Sequence, residues 1–436
     1  MLTTLKNAFK IKEIRMKLLY TLMMLVIIRL GCELPVPGVN REYFAQWYKA
    51  QLGESGLLNA FTGGSFMNMS VFALNITPYI TSSIIMQLLT IAIPKLEEMQ
   101  KDGEEGRKKI ASITRYVTVG LALVESTAMA IGFGRSGILQ QYDALNVITV
   151  IVCLTAGSAI LMWFGERITE NGVGNGISIV LTINIISRIP SDMESLFQQF
   201  VKDKSIGVGA VSTVVILAII LFMVILVIVL NDGIRKIPVQ YAKKMQGRKM
   251  VGGQSTYIPL RINTAGVIPI IFASSILEFP RVLISLFNVQ LNEFWAEFMK
   301  YVSQTYWCNL NNIKYSAGLI VYILMVIFFA YFYTSITFNP LEIADNMKKS
   351  GGFIPGIRPG KPTSDYLTKI LNYIIFIGAV GLTIIGVLPY VFNGVFGASV
   401  SFGGTSLIII VSVILETIKQ VESQMLVRNY KGFLND

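Results

Sequence analysis

"NITPYITSSIIMQLL" (Asn75–Leu89) and "NTAGVIPIIFASSIL" (Asn263–Leu277) are two apolar stretches punctuated in the same way. Each has a proline near its start, an isoleucine two residues later and a Ser-Ser pair within the next turn or two: Pro78, Ile80 and Ser82-Ser83, then Pro269, Ile271 and Ser274-Ser275. Interrupted helices at corresponding positions mark membrane folds built from inverted repeats, where such helices face a pathway. Ser and Thr also serve ordinary close packing between membrane helices. The pair alone leaves both readings open.

Composition supplies the setting. Of 436 residues 53% are hydrophobic and 14% charged, and the apolar runs are close to the roughly 20 residues that cross a bilayer core. Ala210–Leu230 carries no charge, and Ser316–Phe338, Ile370–Phe392 and Asn146–Gly165 are nearly as clear. Weaker runs are Leu18–Gly31, Asn75–Pro94, Tyr116–Gly134, Gly176–Pro190, Thr264–Ser285 and Thr405–Gln420. Ten spans put both termini on one side. Basic loops are retained in the cytoplasm, and with the termini inside, 27 of the 37 Lys and Arg residues fall in segments 1–17, 95–115, 165–175, 232–263, 339–369 and 419–436. The two punctuated stretches then become the second helices of two five-helix halves.

Lys6–Lys17 followed by Leu18–Ile28 has the outline of a signal peptide, and "LGC" (Leu30–Cys32) that of a lipoprotein site. Arg29 stands where that site wants an apolar residue and no small-x-small site follows, so the first helix is expected to be retained. Cys32, Cys153 and Cys308 have neither disulfide-framework nor metal spacing. The chain has no histidine, which removes Ser-His and Cys-His nucleophile pairs and His-ligated metals. "GASV" (Gly397–Val400) faintly resembles the serine motif of intramembrane proteases but lacks a partner base. With no Walker loop either, the sequence points away from an enzyme, implies no cofactor, and leaves the driving energy to a partner or an ion gradient. Gradient-driven transporters keep ionisable groups in mid-membrane. Here only Glu125 sits well inside a span, while Arg29, Glu278 and Glu416 lie near ends. Glu125 is open between a proton site and a hydrogen-bonded or cavity-facing carboxyl; the charge-poor remainder favours a passive pathway over a secondary transporter for a small solute.

Ile76, Ile80 and Ile84 share one helical face, with Thr77 and Thr81 as an adjoining polar stripe. Apolar constrictions gate by dewetting, without a charged filter. Between spans one and two, "LLNAFTGGSFMNMS" (Leu57–Ser70) is too apolar for a solvated loop, yet Gly63, Gly64 and the asparagines make it a poor span.

Essentially the whole chain resembles the bacterial SecY family, the channel subunit of the Sec translocase. The likeness rests on "PVPGV" (Pro35–Val39), "PYITSSIIMQLL" (Pro78–Leu89), "EEGRKKI" (Glu104–Ile110), "GERITENGVGNGISI" (Gly165–Ile179), "QGRKM" (Gln246–Met250), "AGVIPIIFASSI" (Ala265–Ile276), "FNPLEIADNMKKSGGFIPGIRPG" (Phe338–Gly360) and "FGGTSLIIIVSVILE" (Phe402–Glu416). It implies an all-α polytopic protein of ten transmembrane helices in two pseudo-symmetric, inverted halves. These are residues 1–190 with spans one to five and residues 191–421 with spans six to ten, followed by a cytoplasmic tail, 422–436. Carried over by position, the pore ring is Ile76, Ile80, Ile177, Leu181, Ile271 and Ile409, Leu181 replacing the usual isoleucine.

By the same resemblance Leu57–Ser70 is the plug, a short re-entrant helix. Leu58, Phe61 and Phe66 give it something to bury, and Gly63, Gly64 and Asn68 keep it from becoming a span. A stopper that must leave on opening is expected to be weakly buried. A lateral gate between spans two and seven would use Thr81, Ser82 and Gln87 on one side and Ser274, Ser275 and Phe279 on the other. The basic loops 231–263 and 339–369 would dock the SecA motor ATPase and the ribosome through Arg248, Lys249 and Arg358. SecE-type and SecG-type membrane subunits, signal-sequence-bearing polypeptides and the lipid of a bacterial plasma membrane complete the implied surroundings.

Overall fold

The structure, a computed structural model, describes residues 8–52, 62–202, 206–241, 244–246, 249–251, 255–287, 292–308, 313–396 and 404–432. In chain order the helices are α1 Lys12–Gly31, α2 Arg41–Leu52, α3 Thr77–Ala92, α4 Pro94–Lys101, α5 Gly103–Arg135, α6 Ala144–Asn171, α7 Gly176–Phe200 and α8 Ile206–Asp232, then α9 Ile268–Phe287, α10 Glu293–Val302, α11 Ala317–Thr337, α12 Pro340–Lys349, α13 Lys361–Phe396 and α14 Gly404–Gly432. Every one of the ten apolar runs falls on a helix. Among the described residues Gly103–Arg135, Ala144–Asn171, Gly209–Asp232, Ile313–Lys349 and Lys361–Phe392 are each long and apolar enough to cross a membrane. The chain is a multi-pass membrane protein. A sixth stretch, Thr77–Ala92 with Pro94–Gln100, meets the same test but bends by 107°. Ile93 makes the bend, extended at φ −111° and ψ 111°, because the ring of a following proline disfavours helical backbone at the preceding residue.

Contacts divide the chain into two compact units, Met1–Thr213 with Pro280–Glu293 and Ala398–Asp436, and Val214–Phe279 with Phe294–Gly397. This division does not coincide with the sequence division after residue 190: α14 packs on α7 and belongs to the first unit. In that unit α5 buries Thr114, Thr118, Ala122, Ser126, Met129, Ala130 and Phe133, one stripe at spacings of three and four. Small residues there let neighbouring helices come close. Hydroxyls join across the contacts: Ser126 Oγ lies 2.9 Å from Thr155 Oγ1 of α6, and Ser82 Oγ of α3 pairs with Thr118 Oγ1.

The second unit carries a sheet of order β4-β1-β5, from Ile234–Tyr241 (β1), Ser255–Arg261 (β4) and Gly352–Phe353 (β5). Lys244–Gln246 (β2) and Lys249–Val251 (β3) form a separate antiparallel ladder between β1 and β4 in the chain. β1 and β4 pair antiparallel from Ile234↔Arg261 to Gln240↔Ser255, and β5 meets β1 only at Gln240↔Phe353 and Tyr241↔Gly352. The short β5 leaves the edge near Pro238 without a strand, where a residue lacking an amide hydrogen is tolerated. Ile237 and Val239 point inward with Leu260, against Met347 of α12, Ile354, and Leu367 and Ile374 of α13. The two basic loops thus share one hydrophobic core.

One glycine sets how closely the first unit packs. A Cβ at Gly157 of α6 would lie 1.9 Å from the carbonyl oxygen of Val71, whereas one at Gly120 of α5 meets nothing within 4 Å. Gly157→Ala is therefore expected to destabilise the detergent-solubilised protein by about 1–3 kcal/mol through overpacking. Gly120→Ala should leave the thermal unfolding midpoint unchanged or slightly raised.

Candidate functional site

Between α2 and α3, residues 62–76 are irregular and largely buried. Of the proposed plug residues, Leu58 and Phe61 lie outside the described residues. From Thr62 the chain runs through successive turns to Ile76, with amide bonds such as Asn68 N to Gly64 O at 3.0 Å and Ser70 N to Ser65 O at 3.0 Å. Gly63 and Gly64 take left-handed backbone, φ 63° and 85°. Within the expected plug Phe66 and Met69 are in the core, not weakly buried, and Asn68 is half-buried; beyond it Phe72, Ala73, Leu74 and Ile76 are in the core too. Phe66 and Met69 join Val36, Val39, Phe44, Phe133, Ile138 and Leu154 in one cluster. Backbone pairing clamps the segment too: Val36 N donates to Met69 O and Val71 N to Leu34 O, both at 2.9 Å. For the described residues 62–70 the expectation of loose packing failed, because the "PVPGV" stretch after α1 supplies both an apolar floor and a pairing edge.

Depth follows from Gly157. It lies near the middle of the 28-residue α6, and Val71 touches it there. Segment 62–76 therefore reaches well into the span, where irregular backbone survives only if protein satisfies it.

A polar joint holds its end. Asn184 of α7 is fully buried; its Nδ2 donates to Asn75 Oδ1 at 3.0 Å, and its Oδ1 accepts from Arg29 Nη1 of α1 at 3.3 Å. Asn75 is also fully buried and sits at φ 52°, a region asparagine enters more readily than most residues. One turn on, Ser187 Oγ donates to Asn184 O at 2.7 Å, and Arg188 forms an ion pair with Asp192 at 3.8 Å, its side chain only 17% exposed. This joint was missed in the sequence, although an asparagine in the apolar run Gly176–Pro190 and an arginine at the end of α1 were the available signals.

The structure brings part of the expected ring together. Ile76 is fully buried and clusters with Met24, Ile28, Phe72, Leu161, Ile168 and Val180, and Ile80 and Ile177 pack against this cluster half-exposed. Asn175 caps α7 by accepting from the amides of Ile177 and Ser178, which fixes where Ile177 enters the helix. Leu181 is half-buried one turn further along α7, and Ile409 is buried on α14. Ile271 is half-buried on α9 in the second unit.

The expected gate residues have distinct settings. Thr81 Oγ1 donates to Thr77 O, Ser82 is buried against Thr118 of α5, and Gln87 is exposed. On α9 Ser274 is buried and Ser275 exposed, and the side chain of Phe279 lies outside the described residues. Among the expected docking residues Arg358 is exposed in the turn between β5 and α13, with Thr363 Oγ1 bonded to its carbonyl. Arg248 and the side chain of Lys249 lie outside the described residues. Arg235, Lys236, Lys348, Lys349 and Lys361 are exposed around the same sheet.

The SecY family profile matches residues 70–418. The chain belongs to the SecY family. It is 44% identical over 450 residues to protein translocase subunit SecY of Streptomyces scabiei and 41% identical over 441 residues to that of Halalkalibacterium halodurans, in each case over 100% of both chains. Its fold is similar to a solved structure described as that of a protein conducting channel, with TM-score 0.60 and 18% identity over 94% of this chain and 92% of that one. A second solved structure concerns the SecY plug domain in the closed channel (TM-score 0.58, 18% identity), and a third is Sec61 in a canine ribosome-channel complex (0.54, 16%), with the same coverages.

Replacing Asn184 by Ala removes its bonds to Arg29 and Asn75. Each such bond is worth about 0.5–1.5 kcal/mol net, so Asn184→Ala should lower the thermal midpoint clearly. Asn75→Gly, which keeps the left-handed backbone but loses the side-chain bond, should lower it less than Asn75→Leu, which loses both.

Proposed function

We propose that this chain is the channel subunit of a bacterial protein translocase. It passes unfolded secretory polypeptides across the plasma membrane and releases membrane-protein segments sideways into the lipid. The observation that carries this reading is the full-length match to SecY translocase subunits on a chain with the fold of a protein-conducting channel. Ionisable groups are scarce in its apolar runs, which supports a partner-driven polypeptide path over a gradient-driven solute transporter.

In this reading ten spans form two five-helix halves, both termini are cytoplasmic, and Ile76, Ile80, Ile177, Leu181, Ile271 and Ile409 form the pore ring. Branched apolar side chains fit loosely around an extended chain and resist ions by staying dry. Residues 57–70 are the plug, with the joint at Asn184 close to its C-terminal end. A signal sequence opens the channel by binding the open state better, and the shift can be no larger than that difference in affinity. The plug's hydrogen bonds are each worth about 0.5–1.5 kcal/mol net, within reach of burying one apolar helix. Thr81, Ser82, Gln87, Ser274, Ser275 and Phe279 line the lateral gate, Ser82 acting as the tie to α5.

Arg248, Lys249 and Arg358 dock the SecA motor, which supplies ATP hydrolysis, and the ribosome; one solved relative is described as bound in a ribosome-channel complex. Arginine suits both partners, pairing bidentately with carboxylates or with RNA phosphates. Small membrane subunits of the SecE and SecG type complete the assembly.

A photo-crosslinker at Ile80 should capture the mature part of a stalled precursor and fail when the signal sequence is inactivated; engaged precursors that never crosslink there would place the path elsewhere. Arg358→Glu should sharply reduce SecA-stimulated export in reconstituted membranes, and undiminished export would remove this docking assignment. Deleting residues 59–68 should raise the resting ion leak.

A further inference from the structure

Helix α10 has no buried residue. Its apolar side chains nevertheless occupy one face: Phe294, Trp295 and Phe298 are 74%, 53% and 48% exposed, while Glu293, Glu297 and Lys300 fall on the opposite side at 100° per residue. Such a face is costly in water.

Two contacts one turn apart fix where this helix lies. Lys314 Nζ reaches Glu297 Oε1 at 2.6 Å, with Tyr315 Oη bonding the same oxygen at 3.4 Å. The carbonyl oxygen of Tyr301 lies against Gly318 in the first turn of α11, 1.8 Å from where a Cβ would stand, and accepts from Trp307 Nε1 at 2.8 Å. Any larger residue at 318 would push α10 away. Exposed ion pairs add little stability, so Glu297–Lys314 serves to orient the helix: it ties the polar face to the start of α11 and leaves the aromatic face outward. From Gly318 onward, α11 exposes Ile320, Leu324, Phe328 and Phe332 at four-residue intervals, the lipid-facing stripe of a membrane span. Helix α10 is therefore held at the depth where hydrocarbon gives way to headgroups, and its exposed aromatics continue the lipid-facing surface of α11.

We propose that α10 is an interfacial anchor whose Phe294, Trp295 and Phe298 insert into the headgroup boundary of the leaflet at the N-terminal end of α11. The occupant of this face is lipid. Trp and Phe suit that boundary, and the Lys300 and Lys314 ammoniums lie over the Tyr315 ring at 6.0 and 4.8 Å. Because Glu293, Glu297, Lys300 and Lys314 balance in charge, attachment is by aromatic burial and is insensitive to salt. The inference needs only that α11 spans the membrane, and is independent of the channel reading.

The test uses the full chain reconstituted in phosphatidylethanolamine and phosphatidylglycerol vesicles, compared with Trp295→Phe so that the difference in emission belongs to Trp295. That emission is expected to be blue-shifted, to lose most of its intensity when the lipids are brominated near the glycerol end of the acyl chains, to lose less when bromine is at the chain end, and to ignore high salt. A double Phe294→Ser, Phe298→Ser variant should shift it to the red and lower the quenching while circular dichroism is retained. Should that variant unfold, the Trp295→Phe comparison decides alone. Emission at water-exposed wavelengths, quenched by acrylamide and untouched by bromolipid, would overturn the anchor. So would shielding of Trp295 that arises only when other translocase subunits are added, which would make the face a protein contact.

Discussion

Inside a bilayer an amide that leaves a helix has no water to bond to. Segment 62–76 lives under that constraint, and much of the first unit is arranged to meet it. Leu34 and Val36 offer backbone partners, α6 gives up a side chain at Gly157 so that Val71 can touch it, and α7 supplies Asn184 at the segment's end. The hydroxyl contacts between α3, α5 and α6 serve the same end. They bring helices close enough to wall the segment in, since hydrophobicity alone does not drive helices together in lipid.

The helical plan was legible because it depends on local signals. Apolar runs near span length and the clustering of Lys and Arg both act over a few residues. The burial of segment 62–76 was not legible, because it depends on pairing with residues about 35 positions earlier in the chain, at Leu34–Val36. Asn184 illustrates the same gap: its partners Asn75 and Arg29 are 109 and 155 positions away. A polar residue in an apolar run signals that a partner exists, and only the fold says which.

The sheet was missed for another reason. Alternation is present in β1, where Ile237 and Val239 face the core, and in β4, where Leu260 does. Cationic residues, prolines and glycines made both loops read as solvated turns, so the period of two was hidden in stretches of seven or eight residues. Helix α10 was obscured by the opposite effect, since a short aromatic-rich stretch between spans reads as part of a connection.

The sheet joins its two loops very unequally. Seven residue pairs tie β1 to β4, whereas two tie β1 to β5. Pulled at its edge, a sheet peels from the strand with fewest bonds, and local opening follows the regions with least to lose. The turn bearing Arg358 is thus held to β1 less by backbone bonds than by side chains, with Ile354 buried and Ile357 packed against Ile237, Val239 and Leu260, so its position is set by the core beneath the sheet and not by the sheet's edge.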